Sequence, residues 1–259
     1  MNFKIPSFKT DKELFKFIVE NEDDIIYSKK ETIKLADGFS SMVIAPKSFT
    51  SKSGSIDLLS KDEINVISII NTTKLLDSHK DLHIDGIWDK SLQENTRIKH
   101  LQEHRMAFDS IIADKEDLKV YTKNYTWKQL GYNVEGNTQA LVFESKIRKE
   151  RNSFMFEQYA KGNVDNHSVG MRYIKMVTCI NDEEYPTQKE NYDKYAPMVA
   201  NKAELERTKY FWAVLEAKAI EGSAVPIGSN TITPTVSVKS FHKEEENTKS
   251  SPILDWLKN

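Results

Sequence analysis

The sequence predicts a mixed α+β fold, because segments with strand patterns and with helix patterns both occur along its 259 residues. Strands are indicated where apolar and β-branched residues recur without a helical stripe, in 64–73, 138–147 and 163–178. Helices are predicted for 11–26, 88–95, 148–161 and most of 182–207. With 39% hydrophobic residues, the chain can bury one sizeable core.

The two ends of the chain differ in composition from its middle. The first predicted helix carries apolar residues at helical spacing after Thr10, a suitable N-cap, and 48–55 has the composition of a linker. The last segment is rich in Lys, Glu, Ser and Asn up to an apolar peptide around Trp256. The predicted divisions are an N-terminal arm (1–60), a main domain (61–238) and a disordered tail (239–259).

Between these ends, polar, glycine and proline residues mark the loops that separate the predicted helices and strands. A polar loop, 77–86, follows the first strand, and 115–137 is a polar excursion broken by two glycines. Pro186 and Pro197 are expected at helix ends or kinks. The last apolar segment, 212–225, carries the acid Glu221 near its end.

Charge balance and cysteine count narrow the class of protein. Basic and acidic residues number 37 and 39, so the sequence predicts neither a nucleic-acid nor a membrane partner. No apolar run is long enough to span a membrane, and the start of the chain lacks the apolar core of a secretory signal. The single cysteine, Cys179, excludes an internal disulfide. We therefore expect a protein of a reducing cytosol.

A serine lies in the strand predicted for 163–178, followed two residues later by a glycine. Side chains alternate along a strand, so Ser168 shares a face with Gly170 and Arg172, while His167 lies on the other face. His167 is therefore poorly placed to act as a base for Ser168. The alternative to a nucleophile is an ordinary polar position on a strand.

The clustered histidines allow a metal site as one interpretation. His100, Glu103 and His104 form H-x-x-E-H, a zinc-binding pattern of certain proteases. Neighbouring positive charge on Arg97 and Arg105 opposes a cation there, and no further acidic ligand stands out. Exposed histidines on a polar segment are the other alternative.

A nucleophilic site is the second interpretation. A serine hydroxyl needs an imidazole as base and a third group that orients the imidazole. His104 ends an alternating run that a strand would deliver to a sheet edge. Glu221 lies among small and apolar residues, where an ionised side chain requires a partner. The alternative for Glu221 is an exposed acid at a strand end.

Taken in order, these segments resemble the prohead, or capsid maturation, proteases of tailed bacteriophages, which are similar in fold to the herpesvirus assemblin proteases. The matching segments are Asp77-Ser78-His79-Lys80-Asp81 with Gly86 and Lys90-Ser91-Leu92, Leu101-Gln102-Glu103-His104, His167-Ser168-Val169-Gly170-Met171, and Glu221-x-Ser223-x-Val225-Pro226. The chain departs from the family pattern at Arg105, where an acid is usual, and in its long 108–137 stretch. Under this resemblance the H-x-x-E-H pattern is a coincidence.

The resemblance implies a small, mostly antiparallel β-barrel surrounded by helices. It implies a serine endopeptidase with Ser168 as nucleophile, His104 as general base and Glu221 as the group that orients His104, with no cofactor. Backbone N–H groups near Val169 and Gly170 would stabilise the oxyanion, and Gly170 would let the substrate backbone approach.

The resemblance also implies the substrates and the place of action. The substrates would be the scaffold, the major capsid protein and the protease itself, inside an immature capsid in the host cytoplasm. It allows a homo-oligomer, and the peptide around Trp256 would dock the protease in the shell. A zinc-dependent peptidase and a non-catalytic shell component on the same fold are the alternatives.

Overall fold

The structure is a computed structural model that describes residues 4–31, 55–95, 97–228 and 230–240. The helices are α1 (Asp11–Glu20), α2 (Glu22–Glu31), α3 (Ser55–Leu59), α4 (Asp89–Glu94), α5 (Ser153–Ala160), α6 (Pro186–Tyr195) and α7 (Lys202–Thr208). The strands are β1 (Glu63–Thr72), β2 (Asp81–His83), β3 (Lys99–Gln102), β4 (Ile111–Ala113), β5 (Leu118–Thr126), β6 (Asn137–Arg148), β7 (His167–Ile180), β8 (Tyr210–Ala224) and β9 (Thr235–Ser240).

The strands form two sheets in the described part of the chain. The first has the order β5-β6-β1-β9 and is antiparallel throughout. The second is built on β8, which pairs with β7 on one side and with β2 and β3, both parallel to it, on the other. β4 completes this sheet by pairing with β3.

The mixed α+β class is confirmed, but the expectation of a closed barrel is wrong. The sheets do not close, because β7 pairs only with β8 and β5 pairs only with β6 among the described strands. Strand edges on both sheets therefore end without a partner strand. The two sheets instead pack face to face.

The main hydrophobic core lies between the sheets. It combines Ile70 of β1 and Phe143 of β6 with Val169 and Met171 of β7 and Val214 of β8. A Cβ added to Gly222 would lie 2.6 Å from a ring carbon of Phe143, so the two sheets are in close contact at this glycine. The core thus reaches directly beneath the segment that carries Ser168.

The N-terminal helices belong to the same core. Phe15, Ile18 and Ile25 are buried in it. Lys29 of α2 brings its Nζ within 2.5 Å of Asp81 Oδ1 and lies over the Trp212 ring, 4.0 Å from its centroid. The linker predicted after this segment and the apolar terminal peptide lie outside the described residues.

Other local predictions are mostly confirmed. Thr10 caps α1 in a capping box with Glu13, and Pro186 is at the start of α6. The excursion predicted for 115–137 is wrong in part, since it contains β5, an edge strand whose exposed polar residues weaken the strand pattern. Among the described residues, no helix has the length and apolar character that crossing a membrane requires.

Candidate active site

Three neighbouring strands carry the predicted site residues. Ser168 is the second residue of β7 and Glu221 lies on β8, while His104 follows the end of β3 by two residues. β8 lies between β7 and β3 at this point, with Ser168 opposite Ser223 and Gly170 opposite Glu221. Side chains directly opposite one another project from the same face, so Ser168 and Glu221 share a face of the sheet.

The structure brings His104 and Glu221 into direct contact. Nδ1 of His104 lies 2.6 Å from Oε1 of Glu221, and the two side chains are 9% and 3% exposed. An ionised carboxylate can only accept hydrogen bonds, so Nδ1 carries the proton of the neutral imidazole. The lone pair of the ring is therefore on Nε2, the nitrogen that a general base uses.

The second ring nitrogen of His104, Nε2, makes no hydrogen bond within the described part of the chain. Nε2 is buried and has no hydrogen-bond partner among the described residues. Ser168 is 4% exposed, and no hydrogen bond joins it to His104 within the described part of the chain. The structure thus pairs two of the three predicted residues and places the third on the same face without a direct bond.

The turn that carries His104 has an unusual backbone. Glu103 and His104 have φ of 53° and 58°, and Arg105 N–H donates to the Gln102 carbonyl over 3.0 Å. Positive φ at both central residues is characteristic of a type I′ turn, where Asn-Gly is preferred. With two side-chain-bearing residues instead, the turn stores about 1 kcal/mol or more per residue. Backbone strain of this kind is concentrated at functional sites.

Two hydrogen bonds hold this turn on β8. Glu103 N–H donates to the Ala224 carbonyl over 2.9 Å, and His104 N–H donates to Ser223 Oγ over 3.0 Å. The Ser223 hydroxyl in turn donates to Glu221 Oε2 over 2.6 Å. Both oxygens of the Glu221 carboxylate therefore have partners.

Gly170 provides the space for the carboxylate. A Cβ added at this residue would lie 2.0 Å from Glu221 Oε1 and 2.8 Å from its Cδ. From the sequence, this open space was expected to admit the substrate backbone. In the structure, the Glu221 side chain fills it instead.

His167 lies on the opposite face, as the strand alternation predicts. Its Nε2 lies 2.9 Å from the Tyr159 hydroxyl, and its Nδ1 lies 2.9 Å from the Thr233 carbonyl. Burial lowers the pKa of His167 to about 4. His167 is therefore a neutral core residue.

The geometry of H-x-x-E-H does not support a zinc site. Both ring nitrogens of His100 are engaged on the core side, Nδ1 by Ser145 at 2.8 Å and Nε2 by Tyr159 at 3.1 Å. Glu103 is exposed, and His104 faces Glu221. Within the described residues, no group of three or more potential ligands is placed to hold a metal ion.

Ser223 belongs to the Glu221-x-Ser223 segment, but the sequence alone indicated no role for it. Its spacing from Glu221 was a usable signal, because residues two apart on a strand project from the same face. The contact between Ser223 and the backbone of His104 had no such signal, since 119 positions separate them.

Protein-family models, curated proteins and solved structures were all compared with this chain, and none matches it.

Proposed function

We propose that this chain is a serine endopeptidase of the capsid maturation type, with Ser168 as nucleophile, His104 as general base and Glu221 as the group that orients His104. The observation that carries the proposal is the buried His104–Glu221 pair: Glu221 shares a face of the sheet with Ser168, and His104 Nε2 has no hydrogen-bond partner among the described residues. A base oriented by an acid, next to a strand serine, is the arrangement that nucleophilic catalysis requires.

The mechanism follows from this geometry. His104 Nε2 removes the proton of the Ser168 hydroxyl as Oγ bonds to the carbonyl carbon of a peptide. His104 then gives the proton to the leaving amine as the C–N bond breaks, and water hydrolyses the acyl-enzyme by the same two proton transfers. Glu221 stabilises the positive charge that develops on His104 in each step.

Strand pairing supports one of the two suggested oxyanion donors. Val225 N–H donates to the Asn166 carbonyl over 3.1 Å, which makes residues 166 and 225 a hydrogen-bonded pair. In antiparallel strands such pairs alternate, so the backbone groups of Ser168 and Gly170 are directed towards β8. The N–H of Val169 is directed away from β8 and is the better candidate to bind the oxyanion.

The substrates and the setting rest on the sequence resemblance. Scaffold, major capsid protein and the chain itself would be cleaved inside an immature capsid in the host cytoplasm, without a cofactor. One antiparallel sheet packed on one mixed sheet, with surrounding helices, supports an assemblin-like relationship, although the sheets do not form a closed barrel.

A substrate-independent test uses a fluorophosphonate, which bonds covalently to activated serines. We expect the full chain to be labelled at Ser168 and to produce discrete fragments on expression. Ser168→Ala should abolish labelling and lower cleavage by about four orders of magnitude or more, since the nucleophile is lost. Mass spectrometry of the labelled peptide and gel analysis of the fragments measure both effects.

Ser237→Ala, a half-buried serine on β9 in the other sheet, is the matched control and should behave like the parent. Parental cleavage by Ser168→Ala would refute the assignment. If a chelator stopped that residual cleavage, a zinc peptidase would replace it. A folded parent chain with neither label nor fragments would favour the non-catalytic shell component.

A further inference from the structure

The Ser223 hydroxyl connects two parts of the candidate site, and the direction of both of its hydrogen bonds is fixed. A backbone N–H can only donate, so Ser223 Oγ accepts from His104 N–H over 3.0 Å. A carboxylate can only accept, so the hydroxyl proton is directed to Glu221 Oε2 over 2.6 Å. The second distance is typical of a charge-assisted O–H···O bond.

Ser223 is not a second nucleophile. It is fully buried, its proton is committed to a carboxylate, and it meets the backbone of His104 rather than its ring. Ser168, directly opposite on β7, has no hydrogen bond to a carboxylate or to the His104 backbone among the described residues. The two serines on this face therefore have different environments although they are neighbours.

The strained turn needs hydrogen bonds to β8 that hold its backbone in place. Glu103 and His104 both have a left-handed backbone that side-chain-bearing residues disfavour. The bond from His104 N–H to Ser223 is the one of the two hydrogen bonds between this turn and β8 that the backbone of His104 itself makes. Since Ser223 also holds Glu221 Oε2, it sets the positions of both partners of the 2.6 Å contact between His104 Nδ1 and Glu221 Oε1.

We propose that Ser223 is a positioning residue of this protease, which fixes the Glu221 carboxylate and the His104 backbone together so that His104 Nε2 is directed at the nucleophile. The inference rests on the proposed function. Without the hydroxyl, Glu221 Oε2 loses its partner and the turn keeps only one of its two hydrogen bonds to β8, so the base samples unproductive positions. Misplacement of a catalytic group by about 1 Å can cost about 100-fold in rate.

The test compares Ser223→Ala with Ser223→Thr, which keeps the hydroxyl. We expect Ser223→Ala to lower kcat of cleavage by about 10- to 100-fold with little change in KM, because substrate binding does not involve this residue. Ser223→Thr should restore most of kcat. A loss confined to KM, or a folded Ser223→Ala variant with parental kcat, would overturn the proposal.

A second measurement does not depend on catalysis. In full-length protein carrying Ser168→Ala, the ¹⁵N signals of His104 should report a single tautomer protonated at Nδ1, with a slowly exchanging proton. Adding Ser223→Ala should give mixed tautomers and fast exchange, and adding Ser223→Thr should not. Unchanged His104 signals in the Ala variant would overturn the positioning role.

The Ser168 and Ser223 variants together distinguish a failure of the proposed protease function from a failure of the positioning role of Ser223. If Ser168→Ala cleaves normally, the proposed function fails, whereas the His104 spectrum still tests the link to Ser223. If Ser223→Ala does not fold, the Thr variant decides: retention of kcat and of the Nδ1 proton is expected. Loss of both in a folded Thr variant would overturn the proposal.

Discussion

At the scale of single residues, the site depends on backbone conformations and spaces that ordinary side chains do not favour. Glu103 occupies a left-handed position with an exposed side chain, and Gly170 leaves room that the Glu221 carboxylate fills. Neither residue needs to contact a substrate in order to affect the geometry of the site. Each determines where another side chain can lie.

Glu103→Gly should stabilise the protein by about 1 kcal/mol, because glycine has no Cβ penalty at positive φ. Cleavage should stay near the parental rate if Ser168 is the nucleophile, since glycine keeps the left-handed backbone that positions His104 and the Glu103 carboxylate has no chemical role in that mechanism. Urea unfolding and cleavage assays measure the two effects. Loss of activity in a folded, stabilised variant would instead favour the zinc peptidase, in which Glu103 activates water.

Gly170→Ala should lower cleavage by about 100-fold or more, because a methyl group would displace the carboxylate that holds His104. Overpacking should also cost about 1 to 3 kcal/mol. Gly222→Ala is the matched control: its methyl group meets Phe143 on the core side and should cost stability while sparing kcat. Equal kcat for the two folded variants would contradict the role given to Gly170.

At the scale of elements, the two strands that flank β8 are linked on the core side. The chain of hydrogen bonds has one direction: His167 Nδ1–H donates to the Thr233 carbonyl, so its Nε2 accepts from Tyr159 O–H. Tyr159 then accepts from His100 Nε2–H, and His100 Nδ1 accepts from Ser145. Helix α5 thereby joins β3, which leads to His104, with β7, which carries Ser168.

Tyr159→Phe should lower the free energy of unfolding by about 2 to 4 kcal/mol, because it leaves one buried donor and one buried acceptor without partners. Urea unfolding measures the change. Tyr195→Phe is the control, since that buried tyrosine makes no hydroxyl hydrogen bond among the described residues and should change stability by less than about 1 kcal/mol. Equal stability of the two variants would refute the link.

At the scale of the whole molecule, two buried imidazoles and one half-buried acid contribute to the pH dependence of stability. Burial lowers the pKa of His167 to about 4 and holds the pKa of His100 well below its usual value. Burial, with the Asp81 carboxylate nearby, raises the pKa of Asp77 to about 6. The unfolded state therefore binds more protons at the histidines, and the folded state binds more at Asp77.

The free energy of unfolding should fall as pH decreases from about 6.5 towards 4, because only the unfolded chain protonates these histidines in that range. Asp77 opposes the fall, since its raised pKa favours the folded state as pH drops through 6. Asp77→Asn should therefore make the fall steeper. Urea unfolding between pH 7 and 4.5 tests both statements, and a flat profile in the Asn variant would contradict them.

Much of the local structure was predictable because its causes are local. The capping box at Thr10 and Glu13 starts α1, and β-branched periodicity marks β1 and β6. Strand β5 escaped prediction because its polar, exposed side chains do not alternate clearly. The closed barrel was expected from resemblance, and it is excluded because β5 and β7 each pair with a single strand among the described residues.

The sequence by itself determined the strands β1, β6 and β7, the alternation that separates Ser168 from His167, and the candidates His104 and Glu221. Only the tertiary structure decided that His104 and Glu221 meet, that Gly170 makes room for the carboxylate and that Ser223 anchors both. The reason is physical: 117 positions separate His104 from Glu221, and their 2.6 Å contact depends on the register of β3 and β7 on β8. That register is set by packing across the whole core, which no local pattern encodes.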